Sequence, residues 1–212
     1  MSGLDEVLND FRADVSRAEH LLTLVKTFRE FGASAPPCAI VDSTVPWPEA
    51  MVLYEASRLR RTDLPVLSGS LQLYLVGRFE YCIRQIVQVI ADEIASRATK
   101  YSDLPDSLRT ELKCRTIEVA QNPRRYGFDE LQAEALLATL VGNFQSVVGP
   151  LSVSSSVLSI TESNMKDRVL AELLKRVGMN DFWKEVGKQA NVKLHLEKMT
   201  DGETTAEAQS RL

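Results

Sequence analysis

Arg109, Lys113, Arg115, Arg124 and Arg125, with Tyr126 adjacent, have the type and spacing to handle a phosphate backbone. Arginine and lysine grip phosphate, and a tyrosine ring gives an unpaired base a flat surface to stack on. Facing one groove, Arg109, Lys113, Arg115, Arg124, Arg125 and Tyr126 would track a single RNA strand. The same residues also suit a plainer role, as cations near helix C-termini or on solvated faces. Glu80 and Arg84 stand four apart in the order that favours a surface ion pair.

Other chemistries find little material. The two histidines, His20 and His195, have no cysteine or second histidine at ligand spacing. Cys38, Cys82 and Cys114 are widely separated, which argues against a disulfide framework and against a zinc ribbon. No glycine-rich phosphate loop is present; Gly77 falls inside an apolar run, where the plain expectation is close packing by another helix. No cofactor is expected. The net charge of -4 argues against duplex binding through bulk charge, while leaving room for a local basic patch. The opening Met-Ser-Gly-Leu-Asp-Glu lacks the apolar run of a secretion signal, and residues 71–94 carry too many charges for a spanning helix. The expected location is the cytoplasm, with no membrane partner.

The elements positioning these residues read as helices. Leu4, Leu8, Phe11, Val15, Ala18, Leu22 and Val25 recur in steps of four and three, predicting a helix over 5–31 that stops at Gly32. The prolines at 36, 37, 46 and 48 mark a connector, after which a short helix runs to about 61. Asp63-Leu-Pro65 reads as an interruption, and Leu71, Leu75, Val76, Phe79, Cys82, Ile83, Ile86, Val87, Ile90 and Ile94 predict a long central helix over 70–98. Asp103 is expected to cap a helix running to 121, and another follows Gly127 with Asp129 near its start. Residues 146–160 read as a loop or a short extended segment. Ser163 or Asn164 is expected to cap a helix closed by Gly178, and Asn180 a shorter one. The alternation of Val192, Leu194 and Leu196 with Lys193 and His195 fits a short strand or the end of a helix. Thr204-Thr-Ala-Glu207 is a capping-box pattern eight residues before Leu212, so a final helix is expected to begin near 204 and to be cut short. The expected architecture is a single all-α domain over 1–212.

The order of these parts resembles the HEPN superfamily, in particular its RiboL-PSP-type members. The matching points are the long first helix, the central Leu73-Tyr-Leu-Val-Gly-Arg-Phe-Glu80 with its embedded acid, and the Asp103-Leu-Pro105 turn. Ser163-Asn-Met165, Leu173-Leu-Lys-Arg-Val-Gly178 and Phe182-Trp183 follow, then Ala208-Gln-Ser-Arg-Leu212. The resemblance implies a multi-helix HEPN-like bundle and a place in a bacterial defence or toxin–antitoxin system. It also implies a homodimer, an RNA substrate, a cognate antitoxin or defence partner, and metal-independent RNA cleavage. Arg78, Glu80 and Arg84 are the positions it associates with a polar cleft. The family's cleaving pair is an arginine followed, after four to six residues, by a histidine. No arginine precedes His20 or His195 by that interval. The chain as given is therefore expected not to cleave RNA, and no catalytic residue is assigned.

Overall fold

The computed structural model describes residues 2–38, 47–60, 62–145, 151–161 and 164–199, with side chains up to residue 194. The described residues form eight α-helices and three short 3-10 turns, with no strand among them. The expected capping box and helix near 204 lie outside them, as do Arg61, Ser163 and the side chain of His195. Two compact units divide the chain, Met1–Cys82 and Ile83–Leu212.

In the first unit, α1 (Gly3–Phe31) starts two residues before the expected position because Ser2 and Asp5 close a reciprocal cap. The Ser2 hydroxyl accepts from the Asp5 amide at 3.3 Å, and the Asp5 carboxylate accepts from the Ser2 amide at 3.0 Å. α2 (Pro48–Leu59) has its proline in the first turn, as expected. Gly32 ends α1 with an ordinary right-handed φ of -69°, so a turn is not what requires glycine. The close approach of α2 is: a Cβ at Gly32 would lie 2.1 Å from Ser57 Oγ. The buried Ser57 hydroxyl in turn donates to Phe28 O at 2.6 Å, and Tyr54 donates to Ser34 O at 3.0 Å.

α3 (Leu64–Arg97) begins six residues earlier than its apolar run predicts. Asp63-Leu-Pro65 is its start, not an interruption: a first-turn residue needs no amide partner, so Pro65 fits there. Within the first unit α1 meets α3 around a buried carboxylate. Asp14 accepts from Tyr74 Oη at 2.6 Å, from Arg17 Nη1 at 2.8 Å and from Arg78 Nε. The Tyr74 hydrogen bond, then Arg78, holds the Asp14 carboxyl below the usual carboxylate range. Phe11 packs beside this cluster on Phe79, with ring centroids 5.9 Å apart. Gly77 is open on its exposed side, with nothing within 4 Å of where a Cβ would sit, so the close packing expected there is not found.

The second unit holds most of the apolar core. Val87 and Ala91 of α3, Leu108, Leu112 and Val119 of α4 (Asp106–Gln121), and Leu136 and Leu140 of α5 (Glu130–Gln145) are buried. Val157 and Leu158 of the 3-10 turn Ser155–Ser159 join them, with Leu170, Leu173 and Leu174 of α6 (Asp167–Lys175). Asp103 does not cap α4, whose cap position is Pro105. Its carboxylate instead accepts from the Lys100 amide at 3.0 Å and Thr99 Oγ1 at 2.9 Å, closing a 3-10 turn over Tyr101–Asp103. Asp129 does cap α5, accepting from the Gln132 amide at 2.7 Å. The cap of α6 is Lys166 rather than Asn164, and that of α7 (Phe182–Gly187) is Asp181 rather than Asn180. Gly178 closes the turn after α6 at φ 93°, a left-handed geometry that favours glycine. The alternating residues 192–196 are helical, inside α8 (Ala190–Met199). Alternation over five residues is too short a sample to exclude a helix.

Candidate nucleic-acid interface

A groove of about 610 Å³ opens in the second unit between the first half of α4 and the end of α5. Local structure sets its walls. The Asp103 cap fixes the turn carrying Lys100 and Tyr101. Tyr101 is buried, and its hydroxyl donates to Arg109 O at 3.0 Å, tying that turn to α4. Burial also pushes the Tyr101 phenol up, so it remains a neutral donor. Phe144, near the end of α5, meets the Tyr101 ring edge-on, with centroids 4.9 Å apart at 70°.

Lys100, Arg109 and Lys113 line this groove, together with Asp106, Thr110 and Asn143. Arg109 and Lys113 project from one face because they are four residues apart on a helix. Arg109 pairs with Asp106, while its buried Nε has no acceptor among the described residues. Three cations against one carboxylate make the groove locally positive on an acidic chain. Its chemistry is that of an anion-binding surface with an aromatic wall.

A second recess, of about 470 Å³, lies across α4 and shares Asp106 and Thr110 with the groove. Here the charges are largely spent internally. Arg115 Nη1 pairs with Glu118 at 2.7 Å, and Glu111 lies 3.5 Å from Arg115 and 3.8 Å from Arg176. Arg176 Nη1 donates to Leu158 O and Ile160 O, both at 2.7 Å. Burial, then the like charge of Arg115, lowers the proton affinity of Arg176.

The residues singled out from the sequence are spread over several environments. Arg109 and Lys113 face the groove together. Arg78 is engaged with Asp14, and its guanidinium lies 4.9 Å from the Tyr81 ring centre. Glu80 is half-buried, and Arg84 donates to Thr161 Oγ1 at 2.9 Å. Arg124, Arg125 and Tyr126 occupy a 3-10 turn beyond the far end of α4, with Arg125 stacked 5.5 Å over Tyr126. Arg109 and Gln121, twelve residues apart, are separated by about 18 Å of helical rise, so that turn is not a wall of the groove. Lys100, Asn143 and Phe144 complete the groove and were missed. Phe144 continues the phase of Leu136 and Leu140 by one more turn, which is the only trace of it in the sequence. His20 is exposed. Among the described residues no group of three His, Cys, Asp or Glu side chains is placed to hold a metal ion, and no helix is long and apolar enough to cross a membrane.

The family model described as RiboL-PSP-HEPN matches residues 53–201, more than two thirds of the chain. The chain belongs to the RiboL-PSP-HEPN family. No curated protein and no solved structure gives a match. The RiboL-PSP-HEPN match begins within α2 and takes in α3 to α8, so the groove lies wholly inside it and α1 wholly outside.

Proposed function

We propose that this chain is an RNA-binding, HEPN-like component of a bacterial defence or toxin–antitoxin system, acting in the cytoplasm with a cognate antitoxin or defence partner. One observation carries the reading: Lys100, Arg109 and Lys113 converge on a single groove of an otherwise acidic chain with a HEPN-family fold. Neither histidine follows an arginine at the family's interval, so the reading assigns this chain the engagement of RNA. Fluorescence anisotropy of a labelled single-stranded RNA against salt tests it. Neutralising three phosphates predicts a slope of log affinity on log salt of about -2, with the labelled RNA left intact. Lys100→Glu with Lys113→Glu should abolish most of the binding. No salt-dependent binding by the unmodified chain would refute the reading.

A second reading, self-association through α1, has its own support. Leu21, Leu22 and Leu24 stand exposed on α1, Leu24 at 64%. Sedimentation velocity should give a homodimer that Leu22→Lys with Leu24→Lys converts to monomer. A monomeric mass for the unmodified chain would exclude it.

A further inference from the structure

We infer that the groove holds one unpaired nucleobase face-on against Phe144, while Lys100, Arg109 and Lys113 take the phosphates on either side of it. This rests on the RNA reading and adds what the groove selects: an unstacked nucleotide, not a duplex.

Phe144 is 55% exposed although it borders a recess. A phenylalanine there gives up burial unless something covers it. One side of the ring is braced. Tyr101, buried and tied to Arg109 O, presses edge-on against it. A base would therefore meet a ring already braced by Tyr101, with less side-chain freedom to lose than an unsupported one. The cations line the same cavity as that ring, and its size falls in the range of small-ligand sites. Stacking platforms beside a basic groove are how proteins hold single strands, since every base offers a π-face. In A-form RNA the bases are stacked within the helix, and none turns its face outward. Asn143 is anchored through its amide to Ser152 O, which stiffens the wall beside Phe144.

The test uses the full chain with a short labelled oligoadenylate, the same sequence as a duplex, and polyglutamate as competitor. Phe144→Ala and Phe144→Leu should each weaken single-strand binding about 5- to 150-fold while leaving the salt slope unchanged. Phe144→Leu keeps apolar bulk behind the groove, and matching thermal melts show that it folds. Phe144→Trp should restore affinity, and its emission should be quenched by the oligonucleotide beyond any change from Trp47 and Trp183 in the unmodified chain. Lys113→Ala should instead flatten the salt slope by about 0.7. The duplex should bind more weakly and ignore Phe144→Ala. Salt-dependent binding that is indifferent to Phe144→Leu overturns the stacking subsite alone. Displacement by polyglutamate at equal charge would do so too, making the groove a seat for acidic peptide. Absence of any oligonucleotide binding overturns the RNA reading beneath it.

Discussion

Replacing Arg176 by methionine should cost the second unit about 2–3 kcal/mol. The Arg176 side chain is 11% exposed, and its Nη1 supplies the hydrogen bonds that Leu158 O and Ile160 O receive at 2.7 Å. Leu158 itself is fully buried, so its carbonyl has no water to turn to. Leaving a buried acceptor bare costs about 1–3 kcal/mol; Leu158 O is one, while Ile160 is only half-buried, so about 6 for the two is an upper bound. Against that stands the recovered cost of burying the guanidinium, a penalty of several kcal/mol for a buried ion. Its effect is visible in the lowered proton affinity of Arg176, to which the adjacent Arg115 adds. The difference leaves roughly half the bound. Methionine keeps the length of the stem, so cavity formation contributes little. Urea denaturation followed by Trp183 fluorescence, in a Trp47→Phe background, reads this unit directly. Trp183 is anchored within it through a 3.2 Å hydrogen bond to Asp167 O. Limited proteolysis near residues 155–161 should accelerate in parallel, because Ser159 and Thr161 otherwise receive Gln88 and Arg84 from α3. A loss below about 0.5 kcal/mol, the scatter of ordinary surface substitutions, would mean that those carbonyls do not depend on Arg176.

Three further outcomes follow from the packing. Gly32→Ala, normally favourable near a helix end, should destabilise by about 1–3 kcal/mol because the new methyl meets Ser57 Oγ, with Ser57→Ala relieving part of the cost; a stabilised Gly32→Ala in chemical denaturation would contradict the close approach. Asp14 is held below the usual carboxylate value, so it stabilises the fold above the unfolded pKa of about 3.9 and loses that contribution as pH falls through the lower folded value. The melting temperature of the unmodified chain should therefore fall more steeply below about pH 4 than that of Asp14→Asn, and parallel curves would refute the role of the buried carboxylate. Leu173→Ala, at a fully buried position, should cost about 2–5 kcal/mol, whereas Leu131→Ala, at a site 76% exposed, should stay within about 0.5; equal losses in urea melts would contradict the orientation of α5.

Helical periodicity carried much of the fold, and its failures have identifiable causes. Steps of three and four located α1 and the middle of α3, because amphipathic packing repeats along a helix. The same pattern passed over Asp14, which lies on the buried side of α1 beside Phe11 and Val15 but carries a charge. Arg17 is a local partner, but Tyr74 and Arg78 are 60 and 64 residues away, so only folding reveals that the charge is satisfied from within the unit. Pro65 and Asp103 were assigned by local chemistry alone; Pro65 belongs to the first turn of α3 rather than to a break before it, and Asp103 closes the 3-10 turn before α4 rather than capping α4. The groove was half legible. Arg109 and Lys113 announce themselves by helical spacing, whereas Lys100 and Phe144 are brought together by the docking of Tyr101, which no local pattern encodes. Arg124 and Arg125 show the converse, since nearness in sequence across a straight helix becomes distance in space.

Asp106 and Thr110 border both the groove and the second recess described above. A replacement at either position remodels two cavities with one set of atoms, so neither can be tuned to a ligand without disturbing its neighbour. Lys113 and Lys175 border one recess each. Divergence in what related chains recognise should accumulate at those two lysines and spare the shared partition.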